Sequence, residues 1–179
     1  MRITGTLRTL DENSGAVRVE DIYDTGIDDL WAACTRPERL ARWIAQVSGD
    51  VEVGATVQAV FSSTWAGPAR IDVCEAPHHL VVAMEPGSDD ETVLEAWLTA
   101  EGARTRLVVE ERGLPVAQLH FHGAGWQVHL EDLGRALASG STAHPDGWTA
   151  DAAAPAWRRR WSELTPAYEQ TAEDLPPTA

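Results

Sequence analysis

Residues 114–140 read LPVAQLHFHGAGWQVHLEDLGRALASG. Trp126, Leu130, Leu133 and Leu137 recur at steps of four, three and four, which is one face of an α-helix. Gln127, Glu131, Asp132 and Arg135 fall off that stripe and form its wetter side. Pro115 suits a helix start, and Gly140 stands where the chain must leave the helix through the left-handed conformation that other residues resist. Gly123 and Gly125 are poor helix formers, so the first half is either irregular or pressed close against something. This is the one long helix available to cover the strands that precede it.

Upstream, the chain alternates. Residues 17–23 form a first strand, behind a leader (residues 1–16) of loose strand and turn formers such as Asp11, Asn13 and Gly15. The period then changes. Ile27, Leu30, Trp31 and Cys34 make a short helical stripe, with Asp28 and Asp29 in the first turn, where the helix dipole favours anions. Thr35-Arg36-Pro37-Glu38 has the spacing of a capping box, with Thr35 as cap, and predicts a second short helix through Leu40, Trp43 and Ile44. From Val51 onward the pattern is an antiparallel meander over 56–63, 69–73, 80–84, 93–99 and 105–111, the last two joined across Ala100-Glu101-Gly102-Ala103. One strand, two short helices, five or six strands and one long helix predict an α+β fold, a curved antiparallel sheet wrapped around the long helix.

The remainder differs in character. Residues 141–155 are rich in Ala, Asp, Gly and Pro and read as a linker. Beyond it Trp157, Trp161, Leu164 and Tyr168 step by four, three and four, and Pro166 is expected to break this stretch into two short helices, with Thr165 capping the second. The chain thus divides into a domain over 1–140 and a linker with a short helical tail over 141–179. The tail is expected to pack on the outer face of the sheet or on a partner, a homodimer through sheet or tail included; a docking arm is the sharper alternative.

Composition narrows the function. A chain of 179 residues is long enough for one well-filled core. A formal net charge of −14 argues against nucleic acid and against anionic membrane surfaces. No apolar run approaches the ~20 residues of a membrane span and no basic-then-apolar leader opens the chain, so a cytoplasmic location is expected. Cys34 and Cys74 have neither C-x-x-C nor zinc-ligand spacing and read as buried, inert thiols. Eight tryptophans must pack against a core, a partner or a ligand.

The wording IDDLWAACTRPERLARWI at 27–44 resembles the C-terminal domain family of the heat-shock-protein ATPase activator, within the START-like helix-grip superfamily (SRPBCC). The resemblance continues in GDVEVGATVQAVF, GPARIDVCEAPHHLVVAM, TRLVVEERG and GAGWQVHLEDLGRAL and covers roughly 17–140. It implies a helix-grip fold with a deep apolar pocket between the long helix and the sheet, and no fixed catalytic motif. The hairpin pattern then assigns the lining: Leu94, Ala96 and Leu98 on one strand, Leu107, Val109 and Glu111 on the next. Phe61, Val82 and Met84 join them opposite Trp126 and Leu130. Ala96 is small where the family often has a larger apolar residue, which leaves volume. A one-residue slip would present Val93, Glu95 and Trp97 instead.

Glu111 ends the apolar row. It is either a strand-end glutamate in water, the commoner fate of a charged residue, or a carboxyl at the pocket mouth with a pKa raised by desolvation. His122 and His129 share a helix face with Trp126, suited to orienting a polar ligand or moving a proton; His120 completes the cluster. As a metal set the histidines fail, because helical ligand pairs sit at i and i+4 and no carboxylate pattern completes them. His78 and His79 fall in a turn and read as solvated. No G-x-S-x-G, Walker loop or G-x-G-x-x-G occurs, and no cofactor is called for. The expected function is binding of a small, mostly hydrophobic molecule, oriented by Glu111, His122 and Arg112. The rivals are an aromatase/cyclase-like enzyme using the same cavity and a protein-interaction role, as a chaperone ATPase co-activator or a regulator.

Overall fold

The structure, a computed structural model, describes residues 2–175. Eight strands form one antiparallel sheet: β1 (Gly5–Thr9), β2 (Ser14–Tyr23), β3 (Ala45–Ser48), β4 (Thr56–Phe61), β5 (Ala66–Glu75), β6 (His79–Met84), β7 (Thr92–Glu101) and β8 (Arg104–Pro115). Their spatial order is β1-β2-β8-β7-β6-β5-β4-β3, so the first hairpin pairs with the last strand and the rest is a meander. Helices α1 (Ile27–Thr35) and α2 (Pro37–Leu40) form a corner between β2 and β3. The long α3 (Leu119–Ser139) lies against the inner face of the curved sheet, and α4 (Pro155–Glu173) runs along α3.

The β7–β8 hairpin sets which side chains face inward. Its turn holds Gly102 at φ +66°, a conformation glycine adopts without steric penalty. The pairing matches Leu94 with Glu111, Ala96 with Val109 and Leu98 with Leu107, all on the α3 side. The other row faces outward, where Glu95 binds His79 and Arg112 at 2.7 Å each and Trp97 stacks on His79 beneath Arg18. That charged ladder continues through Glu110 to Arg8. Two expectations are corrected by it. Arg112 is on the outer face rather than among pocket residues, and His79 opens β6 and is ion-paired rather than solvated in a turn.

Each junction of α3 has a named fastener. The Tyr23 hydroxyl donates to the Leu130 carbonyl at 2.9 Å, and Gly140 closes the helix at φ +67°. Gly123 marks a close approach: a Cβ there would stand 2.6 Å from the Tyr168 ring and 2.9 Å from Leu7. The Tyr168 hydroxyl donates to Gln127 at 2.7 Å and accepts from the Gly5 amide at 3.0 Å, so one phenol ties α4 to α3 and to β1.

Several local expectations change. Thr35 ends α1, its hydroxyl donating back to the Trp31 carbonyl, so it caps nothing; α2 is a single turn, and Trp43 and Ile44 lead into β3. Pro166 does not break α4. It lies on the exposed side, where the Ser162 carbonyl deprived of its partner belongs to an exposed residue and water can satisfy it. Residues 141–154 are stitched down rather than free. Ala143 bonds Arg42, the Trp148 indole donates to the Val60 carbonyl at 2.9 Å, and Ala154 bonds Ser62. The tail packs on α3, not on the outer sheet face, and Trp148, Trp157, Leu164 and Tyr168 belong to the same core as the sheet. Cys74 is exposed on β5, whereas Cys34 lines the interior and burial pushes its thiol up to about 12.

Candidate functional site

Sheet, helical corner and α3 do not meet completely. Between them lies a cavity of about 130 Å³. Leu40 and Trp43 cover one end, Val57, Ile71, Val82, Met84, Leu94, Ala96, Leu107 and Val109 form the floor, and Trp126 and Phe61 close the other end. Among the described residues, the polar side-chain atoms on its wall belong to Cys34, Thr35 and the indoles of Trp43 and Trp126, and both indole protons are already donated, to the Ala33 carbonyl and to Glu111. The thiol is protonated and the Thr35 proton is already donated, so the interior offers a guest dispersion and desolvation and almost no hydrogen bonds.

Beyond Phe61, Met84 and Trp126, which line both spaces, lies a mouth of about 500 Å³. The Phe61 and Trp126 rings meet edge-on at 6.5 Å and partition the two. The mouth is aromatic and polar together. Glu111, at the end of the inward row of β8, accepts from the Trp126 indole at 2.6 Å and from the Thr92 hydroxyl at 2.8 Å. It is 9% exposed, which corrects the favoured expectation of a glutamate in water. His122 Nδ1 lies 3.9 Å from Glu111; burial lowers its pKa, the Glu111 charge opposes that, and His120 adds to it. His120 itself faces Glu169 of α4.

His129 is the most enclosed of the three. Its ring is caged by Phe61, Trp126 and Trp157 at 5.5–5.8 Å, and its Nδ1 has no hydrogen-bond partner among the described residues. Burial, with a smaller contribution from His144, lowers its pKa to about 3, so the imidazole is neutral at pH 7. Behind it Asp132, fully buried, lies 2.9 Å from His144 and in contact with Arg135. Burial raises the Asp132 pKa, against the pull of His144.

This neutral His129 has a measurable consequence. The unfolded side chain titrates near 6.5 and the folded one near 3, so the unfolded state takes the proton first. Stability is untouched above pH 6.5 and falls as pH drops below it, by about 3 kcal/mol at pH ~4.5. His122 adds to this trend, whereas Asp132 and His79, whose pKa values are raised, oppose it. Replacing His129→Phe isolates the effect: urea unfolding at the two pH values should lose that much of its pH dependence, and an unchanged difference would refute it.

The residues chosen from sequence fall in three places. Phe61, Val82, Met84, Ala96, Val109 and Trp126 line the inner cavity, and Glu111 and His122 line the mouth. Leu98 and Leu130 line neither space and are packed into the core; α1 lies against β7, and Leu130 sits one helical turn beyond Trp126. The mouth residues that pattern reading missed come from outside the strands. Trp157, Arg158 and Trp161 arrive on α4, and Ser63, Thr64 and Trp65 on the β4–β5 turn. The tail tryptophans were the available signal. Thr64 has φ +82°, rare for a β-branched residue, and it sits on the mouth's rim. Phe121, 41% exposed, leans on Trp161 at the same rim.

Against known families, the one described as "Activator of Hsp90 ATPase homolog 1-like protein" matches residues 24–138. The chain belongs to this family. That span runs from the end of β2 to the end of α3 and so contains the helical corner, the inner cavity and much of the mouth. Solved structures extend the likeness of this activator-like chain. CalU16 from Micromonospora echinospora, 23% identical, aligns over 97% of this chain and 98% of its own with a TM-score of 0.71, and that span takes in residues beyond α3. DynU16, described as a protein of the dynemicin biosynthetic locus, is 25% identical over 72% of this chain with a TM-score of 0.66; the match spans 49% of DynU16. A protein of Enterococcus faecalis, EF2215, is 16% identical over 97% of this chain and 92% of its own, with a TM-score of 0.68. No functionally curated protein matches the sequence. Among the described residues of this activator-family member, no helix is long and apolar enough to cross a membrane, and no group of three or more His, Cys, Asp or Glu side chains is arranged to hold a metal ion.

Proposed function

We propose that this activator-family protein binds a small, mostly apolar molecule, with its apolar end in the inner cavity and its polar end in the mouth. The observation that carries the reading is the pairing of spaces: a hollow of about 130 Å³ with an apolar wall opens past two aromatic rings toward a larger space with fixed polar groups. The hollow is close in size to an engineered cavity of roughly 150 Å³ that stays dry and takes up benzene, so it suits one phenyl ring or a short branched chain. Affinity comes from apolar area removed from water at ~25 cal/mol per Å², less the ordering of the guest. Glu111 and His122 supply orientation, as few and well-placed polar groups do in ligand sites.

Ala96→Phe tests this. The substitution places a ring where the guest's ring belongs. Calorimetric titration with phenylpropanol, cross-checked by tryptophan emission, should show saturable binding to the native protein and at least about a tenfold loss in the variant. The variant's melting temperature should be unchanged or raised, since the ring fills a void. Failure of the native protein to bind, or equal binding by both, would sink the reading.

An enzyme of the cyclase kind is the second reading, favoured by one contact: His122 stands 3.9 Å from a buried carboxylate, an arrangement able to pass a proton. The setting of DynU16, a biosynthetic locus, agrees with it. A partner-binding role, and a homodimer through the tail, have less support, because Trp157, Leu164 and Tyr168 are buried against their own chain.

A further inference from the structure

We propose that the polar end of the guest is a protonated amine, held at the mouth between Glu111 and the surrounding aromatic rings. This deepens the binding reading above and rests on it.

Glu111 is the first ground. Thr92 donates to Oε1 and Trp126 donates to Oε2, so both oxygens act as acceptors, the behaviour of a carboxylate and not of a carboxylic acid. Both donors are neutral. Among the described residues, His122 is the one ion-pair partner of Glu111 within 4 Å, and burial holds it toward its neutral form. Arg158 lines the same mouth, but it is exposed and makes no ion pair with Glu111. Buried charge without a counter-charge is costly, and here the counter-charge is left for a guest to supply.

The walls are the second ground. Phe61, Trp65, Trp126, Trp157 and Trp161 all line this space. Phe61 meets Trp65 at 5.0 Å edge-on, and Trp157 stacks on Trp161 at 5.9 Å. Indole faces attract ammonium groups, most strongly where water is excluded. The third ground is His129, which lines the mouth, is 4% exposed and is kept neutral by burial, so it adds no positive charge to repel an ammonium. At the scale of the whole molecule, a net charge of −14 attracts cations and repels carboxylates. An anionic head group would instead face Glu111 directly.

Three guests of one shape decide it: phenylpropylamine, phenylpropanol and phenylpropionate, titrated into the full chain by calorimetry at neutral pH. The amine should bind at least about tenfold more tightly than the alcohol, and the acid most weakly. Glu111→Gln, which keeps an acceptor for the Trp126 indole, should bring the amine to within about threefold of the alcohol measured on the same variant. Equal affinities of amine and alcohol for the native protein would overturn the inference and leave the binding reading standing. So would an amine preference that survives Glu111→Gln. Binding of none of the three overturns both. If Glu111→Gln does not fold, the ranking of the three guests on the native protein decides by itself.

Discussion

Ending the chain at Gly140 is expected to abolish cooperative folding. Residues beyond it supply Trp148, Ala154, Trp157, Leu164 and Tyr168 to the core that also holds β1, β2, β8 and α3. Each large apolar side chain among them contributes about 1.5–3 kcal/mol by leaving water, and a whole domain has only about 5–15 kcal/mol in reserve. Truncation also uncovers the Gly123 surface that Tyr168 fills and leaves the Gly5 amide and Gln127 without their shared partner. Relief from ordering residues 141–154, the strap between α3 and α4, offsets part of the loss but restores none of these contacts. Thermal melting by circular dichroism, with gel filtration for size, checks the result. A truncated protein that melts cooperatively within a few degrees of the full chain would show the tail to be an appendage. The point version is Tyr168→Ala, expected to lose about 3–5 kcal/mol. The same truncation removes Trp157 and Trp161 from the mouth, so any folded remnant should lose the amine preference before it loses the inner cavity.

Much of this architecture was legible from one chain because its periods are unambiguous. The four-three-four spacing from Trp126 to Leu137 places α3. Alternation over 93–111, with glycine at the turn, offers two candidate rows, and the pairing of Leu94 with Glu111 places the row of Ala96 and Val109 inward. What escaped the reading has a common physical cause. Thr35 lost its capping role to a bond with its own helix, Pro166 was tolerated because its freed carbonyl belongs to an exposed residue, and residues 141–154 are polar in composition yet fastened by single buried groups. Composition reports average solubility and says nothing of one indole finding one carbonyl. The same holds for the mouth. Glu111 looked like a strand end because its partners, Thr92 and Trp126, lie 19 and 15 residues away in sequence.

Asp132→Ala should destabilise the protein by about 3–5 kcal/mol, the usual penalty for removing one member of a buried pair such as Asp132–His144, which joins α3 to the strap. Asp132 is fully buried on α3, and His144 is 4% exposed on the strap, packed edge-on against Trp148. Cutting the carboxylate leaves the imidazole buried, without the polar partner 2.9 Å away and still anchored by its neighbours. Desolvation makes the native pair a weak source of net stability, as the raised Asp132 pKa records. The double change Asp132→Leu with His144→Leu should therefore recover most of the loss, since two apolar side chains need no partner there. Urea unfolding of Asp132→Leu, His144→Leu and the double variant at pH ~7 separates the cases, because linkage between the two sites appears as non-additivity. A double variant as unstable as the sum of its single changes would mean that the two residues act separately. In that case the strap is held by Ala143, Trp148 and Ala154, and the Asp132–His144 pair would have to be explained by something other than fastening.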